Sequence, residues 1–433
     1  MMHSSPMTVQ NSSCEPSIKA DNTAPLSLDQ AKEKITSLVR PQSSHEQVSL
    51  TAALGRVLAQ DVISPIDVPA HDNAAMDGYA FASLGDCAPE GRTLRIVGCA
   101  LAGAAFPGQV NSGECARITT GAVMPAGCDS VVPYEQLLAQ NDTHITLPAN
   151  ADSAGAHRRL RGEDLQRGST ALHKGRLLTP SDLGLLASLG LTSVVVKTRL
   201  RVAFFSTGDE IRAQGEANQH GCVYDSNRYT LFGMLSRLGC VAIDLGIVPD
   251  DAVQLETAFR SACEQADVII TSGGVSQGSA DLTRLTMSRL GEVSFWQIAM
   301  RPGRPMAFGR IHNGTRSALL FGLPGNPVAV MSSFYFLVRP ALLRMMGADL
   351  VEPLLIPAVT TTALQKKAGR TEFQRGILKR NLQGHLEVSV TGSQGSGILR
   401  SMSEANCMIV LHHHQDQIHA GEVVDVTLFD GLI

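Results

Sequence analysis

A chain of 433 residues, 44% hydrophobic and 18% charged, can bury several cores and should divide into about three or four domains. Its formal charge of -4 and pI near 6.4 supply no global attraction to nucleic acid or to an anionic membrane, so any phosphate binding must come from local clusters. The nine cysteines are scattered and never two residues apart, which excludes a zinc or redox pair and fits reduced thiols in a cytoplasmic protein. No stretch approaches the ~18 to 20 apolar residues of a bilayer span, and no basic region followed by an apolar one opens the chain, so neither membrane insertion nor export is expected.

Residues 1–25, rich in Ser, Asn, Thr and Pro, are expected to form a disordered leader. Ser27 precedes a helical pattern through Ala31, Ile35, Leu38 and Val39, with Asp29 in the first turn where the helix dipole favours an acid. A second helical stretch is expected near Ser49 to Leu58, after which Pro65 and Pro69 impose an extended path. Short alternating segments and Gly-rich turns from about Leu94 to Leu147 predict a small inserted β module. The run Ser181 to Leu189 predicts a helix, and Ser193 to Lys197 a strand. From residue 199 to about 345, strands (RVAFFST, VAIDLGIV, DVIITS, SFWQIAM, SALLFGL) alternate with helical segments at 227–238, 251–265, 281–290 and 327–345, the pattern of a doubly wound α/β domain. Strand patterns return from Pro353 and predict a small β-barrel or sandwich. The expected fold class is therefore multidomain α/β and β. It comprises an elongated helical and extended N-terminal domain (26–93 with 157–198), an inserted β domain (94–156), the α/β core (199–347) and a C-terminal β domain (348–433).

Open parallel sheets bind ligands at the carboxyl ends of their strands, and several such exits in the α/β core carry residues suited to phosphate and a cation. In ADVIITSGGVSQGSAD (266–281) an apolar strand empties through Ser272 into Gly273 and Gly274, which leave backbone N–H groups open to a ligand, and Asp281 is placed to carry a cation. An ordinary strand-to-helix turn has the same signature. Ser206, Thr207, Gly208, Asp209 and Glu210 combine hydroxyls, a glycine and two acids, which suits a phosphate with its magnesium. Asp250 and Asp251 after Pro249 read either as part of that acidic set or as a turn and helix N-cap. In GLPGNP (322–327), Asn326 fits an N-cap and Pro327 a first helical residue, and a free helix N-terminus behind Pro324 and Gly325 makes an anion site. Arg301 and Arg304 offer forked, permanently charged donors for phosphate or an oxyanion; plain surface arginines are the alternative. Arg158, Arg159, Arg161 and Arg167 beside Asp164 read as a phosphate grip or a solvated loop. His412, His413, His414 and His419 lack Cys or Asp partners at ligand spacing, which favours a structural reading, and Trp296 is expected in the core.

The ordered set NAAMDGYAF (73–81), TTGA (119–122), RLRGED (159–164), STGDE (206–210), TSGGVSQGSAD (271–281), RPGRP (301–305), GLPGNPV (322–328), RTEFQRG (370–376) and GSQGS (392–396) resembles the molybdopterin molybdenumtransferase family, related to the C-terminal domain of gephyrin. The resemblance runs from about Pro25 onward. It implies insertion of molybdenum from molybdate into adenylylated molybdopterin, with hydrolysis of the pyrophosphate linkage and release of AMP. It also implies reaction residues at Asp77, Thr120, Asp164, Glu210, Asp250, Asp281, Arg301, Arg375 and Ser396, with Glu210, Asp250 and Asp281 as the acids around a magnesium ion. The family's members are elongated homodimers, and the implied protein partners are other enzymes of cofactor synthesis and recipient molybdoenzymes. The chain departs from the family at Gln297, Arg301 and Arg304, where lysines are common, and at Ser279 and Leu282, where an acid and an aromatic are common. Adenylylation of molybdopterin and a non-catalytic, gephyrin-like scaffold are the competing readings.

Overall fold

The computed structural model describes residues 24–84, 91–148, 153–217, 219–275, 282–349 and 352–429. The chain forms two compact units, His45–Val196 and a second one built from the residues up to Ser44 together with Lys197 onward. The greater part of the expected leader, residues 1–23, lies outside the described residues, as does Asp281.

In the second unit, the opening helix runs over Leu28–Leu38. Ser27 caps it reciprocally with Gln30, while Ala31 and Ile35 face inward. The α/β sheet has the order 241–248, 201–207, 268–272, 316–323, 305–313, 291–297. Its first four strands are parallel, because apolar runs such as Val202–Phe205 and Val268–Ile270 are buried on both faces and need helical crossovers. The helix Ala252–Gln265 supplies one crossover, laying Leu255, Phe259, Ala262 and Cys263 on the sheet at helical spacing, with Phe259 edge-on to Phe205 at 5.2 Å. Chain direction splits at Arg201–Thr207, whose two neighbours are reached by crossovers to opposite sides, and this is where such sheets open a ligand crevice.

The strand Pro305–Asn313 was not expected. It forms antiparallel pairs with Gly291–Gln297 and Arg316–Leu323, and the two residues Gly314-Thr315 turn the hairpin, with Gly314 at φ +59. Trp296 is half-buried, packed 5.4 Å from Phe308. Pro327–Met345 is long and apolar enough to cross a membrane, contrary to the expectation that no stretch would be. The protein uses it as a core helix, with 67% of its apolar window buried. Its middle turn, Phe334–Val338, is a π-turn, since Pro340 has no N–H to continue the α ladder to Phe336.

The C-terminal strands Thr371–Arg380, Leu386–Val390, Ile356–Thr360, Val423–Leu428 and Cys407–Leu411 close into a barrel, because the first also pairs with the last. Met300–Arg301 adds to its edge beside Thr371–Glu372, which brings Arg301 to the barrel wall.

In His45–Val196 a six-stranded sheet takes in Gly78–Phe81 and Ser130–Pro133, so it recruits a strand from before residue 94. Tyr79, Phe81, Leu94, Cys115, Val132 and Ile145 form its core. A helix over Ser49–Leu58 is replaced by one 3₁₀ turn, Leu50–Ala52, after which the chain turns at Gly55, φ +68. Leu58 still reaches the core cluster of Leu172, Leu178, Leu186 and Val196, so its burial is met without helical geometry. The expected helix and strand that follow are Pro180–Ser188 and Ser193–Lys197.

Candidate functional site

A cavity of about 940 Å³ opens at the carboxyl ends of the parallel strands. Thr207, Gly208, Glu210, Asp250, Gly273 and Gly274 line it from the sheet, joined by Pro324, Gly325 and Asn326 of the next turn, Arg301 and Arg304, and Ser396 of the barrel. Twelve separate expectations thus converge on one space. The strand-to-turn geometry explains why glycine stands at 273: φ is +100, and a Cβ there would lie 2.3 Å from the Thr207 carbonyl oxygen.

The two acids after Pro249 have different tasks. Asp251 caps the helix by accepting from Val253 and Gln254 N–H, while Asp250 accepts from Thr207 Oγ1 at 2.6 Å at the cavity wall. Asp250 and Glu210 are both exposed into this space, giving it two hard oxygen donors of the kind a magnesium ion takes alongside phosphate oxygens. Among the described residues, which do not include Asp281, no three His, Cys, Asp or Glu side chains are grouped to hold a metal ion.

The same cavity is lined by three arginines, Arg301, Arg304 and Arg370. Arg301 and Arg370 both reach the buried Glu372, at 3.4 and 3.0 Å, and Arg304 is exposed with no carboxylate partner among the described residues. One carboxylate between two arginines leaves net positive charge there, and forked donors match a tetrahedral oxyanion. Arg370 was missed in the sequence, although it opens the RTEFQRG segment. Gln297 does not line the cavity.

Ser206, Ser272 and Arg375 do not line this cavity. Ser206 and Ser272 are fully buried on the strands, turned beneath the turns they precede, and donate to or accept from protein groups. Arg375 is 1% exposed and donates to the carbonyls of Ser393, Gln394 and Gly395 and to Ser401 Oγ. Burial, with the charge of Arg301 nearby, pulls its guanidinium down to about 10. Arg375 therefore builds the loop that presents Ser396. Asn326 stands at the N-cap position without a side-chain cap bond, and the Val328 N–H already donates to the Ser396 carbonyl at 3.0 Å, so this helix start is not a free anion site.

In His45–Val196 the structure brings Asp77 and Thr120 together. The Thr120 N–H and Oγ1 donate to Asp77 Oδ1 at 2.6 and 2.9 Å, and these two bonds hold the Asp77 carboxyl below its ordinary range. A depressed carboxyl adds stability that is present above the unfolded value, about 3.9, and is lost as pH falls through the folded one. Thr120→Ala keeps the backbone donor and removes the hydroxyl, so the Asp77 titration should move part of the way back up. Carboxyl NMR across the acid range reads this directly, and an unmoved midpoint would remove the hydroxyl's role. Asp164 lies on another exposed loop, where its N–H donates to the Val68 carbonyl. Of the nearby arginines, Arg161 is engaged by Asp67 at 2.6 Å and Arg158 by Asp72 at 3.7 Å, a loop-bracing use. His412 pairs with Asp425 at 2.7 Å.

Comparison with known proteins matches the MoeA N-terminal region (domain I and II) over residues 26–190, a probable molybdopterin binding domain over 203–344, and the MoeA C-terminal region (domain IV) over 357–429. The chain is 41% identical to the molybdopterin molybdenumtransferase of Haemophilus influenzae, over 94% of this chain and 100% of that one. It is 31% identical to gephyrin of Dictyostelium discoideum, over 88% of this chain and 59% of that one. A crystal structure of the molybdopterin biosynthesis moeA protein of Pyrococcus horikoshii superposes with a TM-score of 0.80 at 25% identity, covering 94% of this chain and 100% of that one.

Proposed function

The chain belongs to the MoeA family of molybdenum cofactor biosynthesis, and from that premise we propose that it inserts molybdenum from molybdate into adenylylated molybdopterin, hydrolysing the pyrophosphate linkage and releasing AMP. Adenylylation and pure scaffolding are not favoured, since the match extends over the N-terminal and C-terminal regions as well as the α/β domain, and the relatives matched in full are named as transferases.

The observation that carries the proposal is that one cavity is lined both by the acids Glu210 and Asp250 and by the arginines Arg301, Arg304 and Arg370. The arginines suit molybdate and keep it in one place by bidentate donation. The turn at Gly273 and Gly274, whose first N–H is taken by the Leu323 carbonyl, lets a phosphate approach the backbone unobstructed by side chains. Glu210 and Asp250, with Asp281 on the strength of the motif, would hold a magnesium ion, whose charge would offset that developing on the scissile phosphate. Arg375 acts through the loop, keeping Ser396 at the cavity edge. For Asp77, Thr120 and Asp164 the support is the resemblance of MDGYA, TTGA and RLRGED to the family's motifs. A cytoplasmic homodimer that passes its product to recipient molybdoenzymes is part of the same proposal.

Purified protein supplied with adenylylated molybdopterin, magnesium and molybdate is expected to release AMP only when molybdate is present, and to retain molybdenum on the pterin. Consumption of ATP with unmodified molybdopterin would instead establish adenylylation, and absence of either reaction would leave the scaffold.

A further inference from the structure

The segment Asp225-Ser226-Asn227-Arg228 enters none of the roles above, yet its first three residues line the cavity and its polar atoms reach three strand exits. Asn227 is 5% exposed, and its Nδ2 donates to Ser272 Oγ and to the Gly325 carbonyl, both at 2.7 Å. A carbonyl only accepts, so the atom facing Gly325 is the amide nitrogen and the side-chain orientation is fixed. Its Oδ1 has no hydrogen-bond partner among the described residues, a cost that an apolar side chain of similar size would avoid. The two donors, rather than the volume, therefore account for an amide here. Asp225, 2% exposed, accepts from Ser206 Oγ at 3.0 Å and from the Arg228 N–H at 3.2 Å, and Arg228 in turn reaches Asp244 at 3.2 Å.

Ser206 and Ser272 sit on adjacent parallel strands, and Gly325 follows the third strand in the row. We propose that residues 225–228 clamp the turns after these three strands at a fixed spacing, with Asn227 as the positioning residue that ties the Gly273-Gly274 turn to the turn at Gly325. The clamp assigns buried Ser272 a task, that of receiving the Asn227 N–H. Its consequence for ligand binding rests on the reading of the cavity as the nucleotide and pterin site; its geometry does not.

The test therefore reads the turns and the ligand separately. Two amides report the turns without ligand: Gly273 N–H, bonded to the Leu323 carbonyl at 3.0 Å, and Val328 N–H, bonded to Ser396. In Asn227→Ala both should exchange with solvent about tenfold faster or more, while the helix Ala252–Gln265 keeps its protection. AMP, as the probe, should bind about tenfold more weakly. Asn227→Asp retains one donor only while the acid is protonated, and burial raises that pKa. With at most one of the two donors restored, its exchange at Gly273, taken relative to wild type at the same pH, should lie between those of wild type and Asn227→Ala at low pH and rise towards that of Asn227→Ala as the acid ionises. Unchanged exchange at Gly273 and Val328 in Asn227→Ala, or a flat ratio in Asn227→Asp, would overturn the clamp. Faster exchange with unchanged AMP affinity would uphold the clamp and remove the ligand assignment of the cavity.

Discussion

Asp250→Asn should lower molybdate-dependent AMP release by about a hundredfold or more while leaving the melting temperature nearly unchanged. The substitution keeps an oxygen for Thr207 Oγ1 to donate to, at a site now spaced by a 2.6 Å contact, and removes only the charge. An exposed, isosteric change away from packing costs about 0.5 kcal/mol or less. The neighbour supplies the control: Asp251→Asn also loses a carboxylate, but asparagine caps helices as well as aspartate does, so that variant should turn over near the wild-type rate. Equal turnover in the two variants would place the reaction's acid elsewhere.

Arg375→Ala should destabilise the C-terminal barrel by on the order of 3–5 kcal/mol, seen as a lower denaturant midpoint. Its guanidinium is sealed inside and satisfies three carbonyls of one loop together with Ser401 Oγ. Truncation leaves those acceptors without donors in a place water reaches poorly. The loop at 393–396 then moves, Ser396 leaves the cavity edge, and AMP release falls even at temperatures where the variant is folded. Arg304→Ala offers the contrast, since an exposed arginine without a carboxylate partner among the described residues should weaken molybdate binding at little cost in stability. A stable Arg375→Ala that has lost only oxyanion affinity would show the side chain to be a ligand after all.

Much of the α/β domain was legible because its pattern is redundant. Runs such as RVAFFST and DVIITS are too short and too β-branched for helices, and each is followed by glycine or acid at the strand exit. The convergence of Thr207, Glu210, Asp250 and Gly273 followed from the parallel sheet alone, since parallel strands put all their exits on one edge. Side-chain direction was harder to read. Ser206 and Ser272 belong to the motifs, yet each is the inward-facing hydroxyl of a strand buried on both sides, which a sequence motif does not distinguish from a ligand contact. The same holds for Arg375, since an arginine in a reaction motif looks alike whether it holds a ligand or a loop. The hairpin strand Pro305–Asn313 carried a turn signal in Gly314-Thr315, but it begins directly after the turn-like RPGR, which reads as loop. Asn227 left no mark, because its role depends on two partners 45 and 98 residues away.

The central claim is that acids at the strand exits and arginines at the barrel edge share one pocket that takes a nucleotide-bearing ligand and an oxyanion together. Diffraction from crystals soaked with AMP, magnesium and molybdate, collected at the molybdenum edge, tests it most directly. The account predicts an anomalous peak against Arg301, Arg304 and Arg370, with the AMP phosphate at Gly273 and Gly274. A molybdenum peak away from those arginines, or AMP seated outside this cavity, would contradict it.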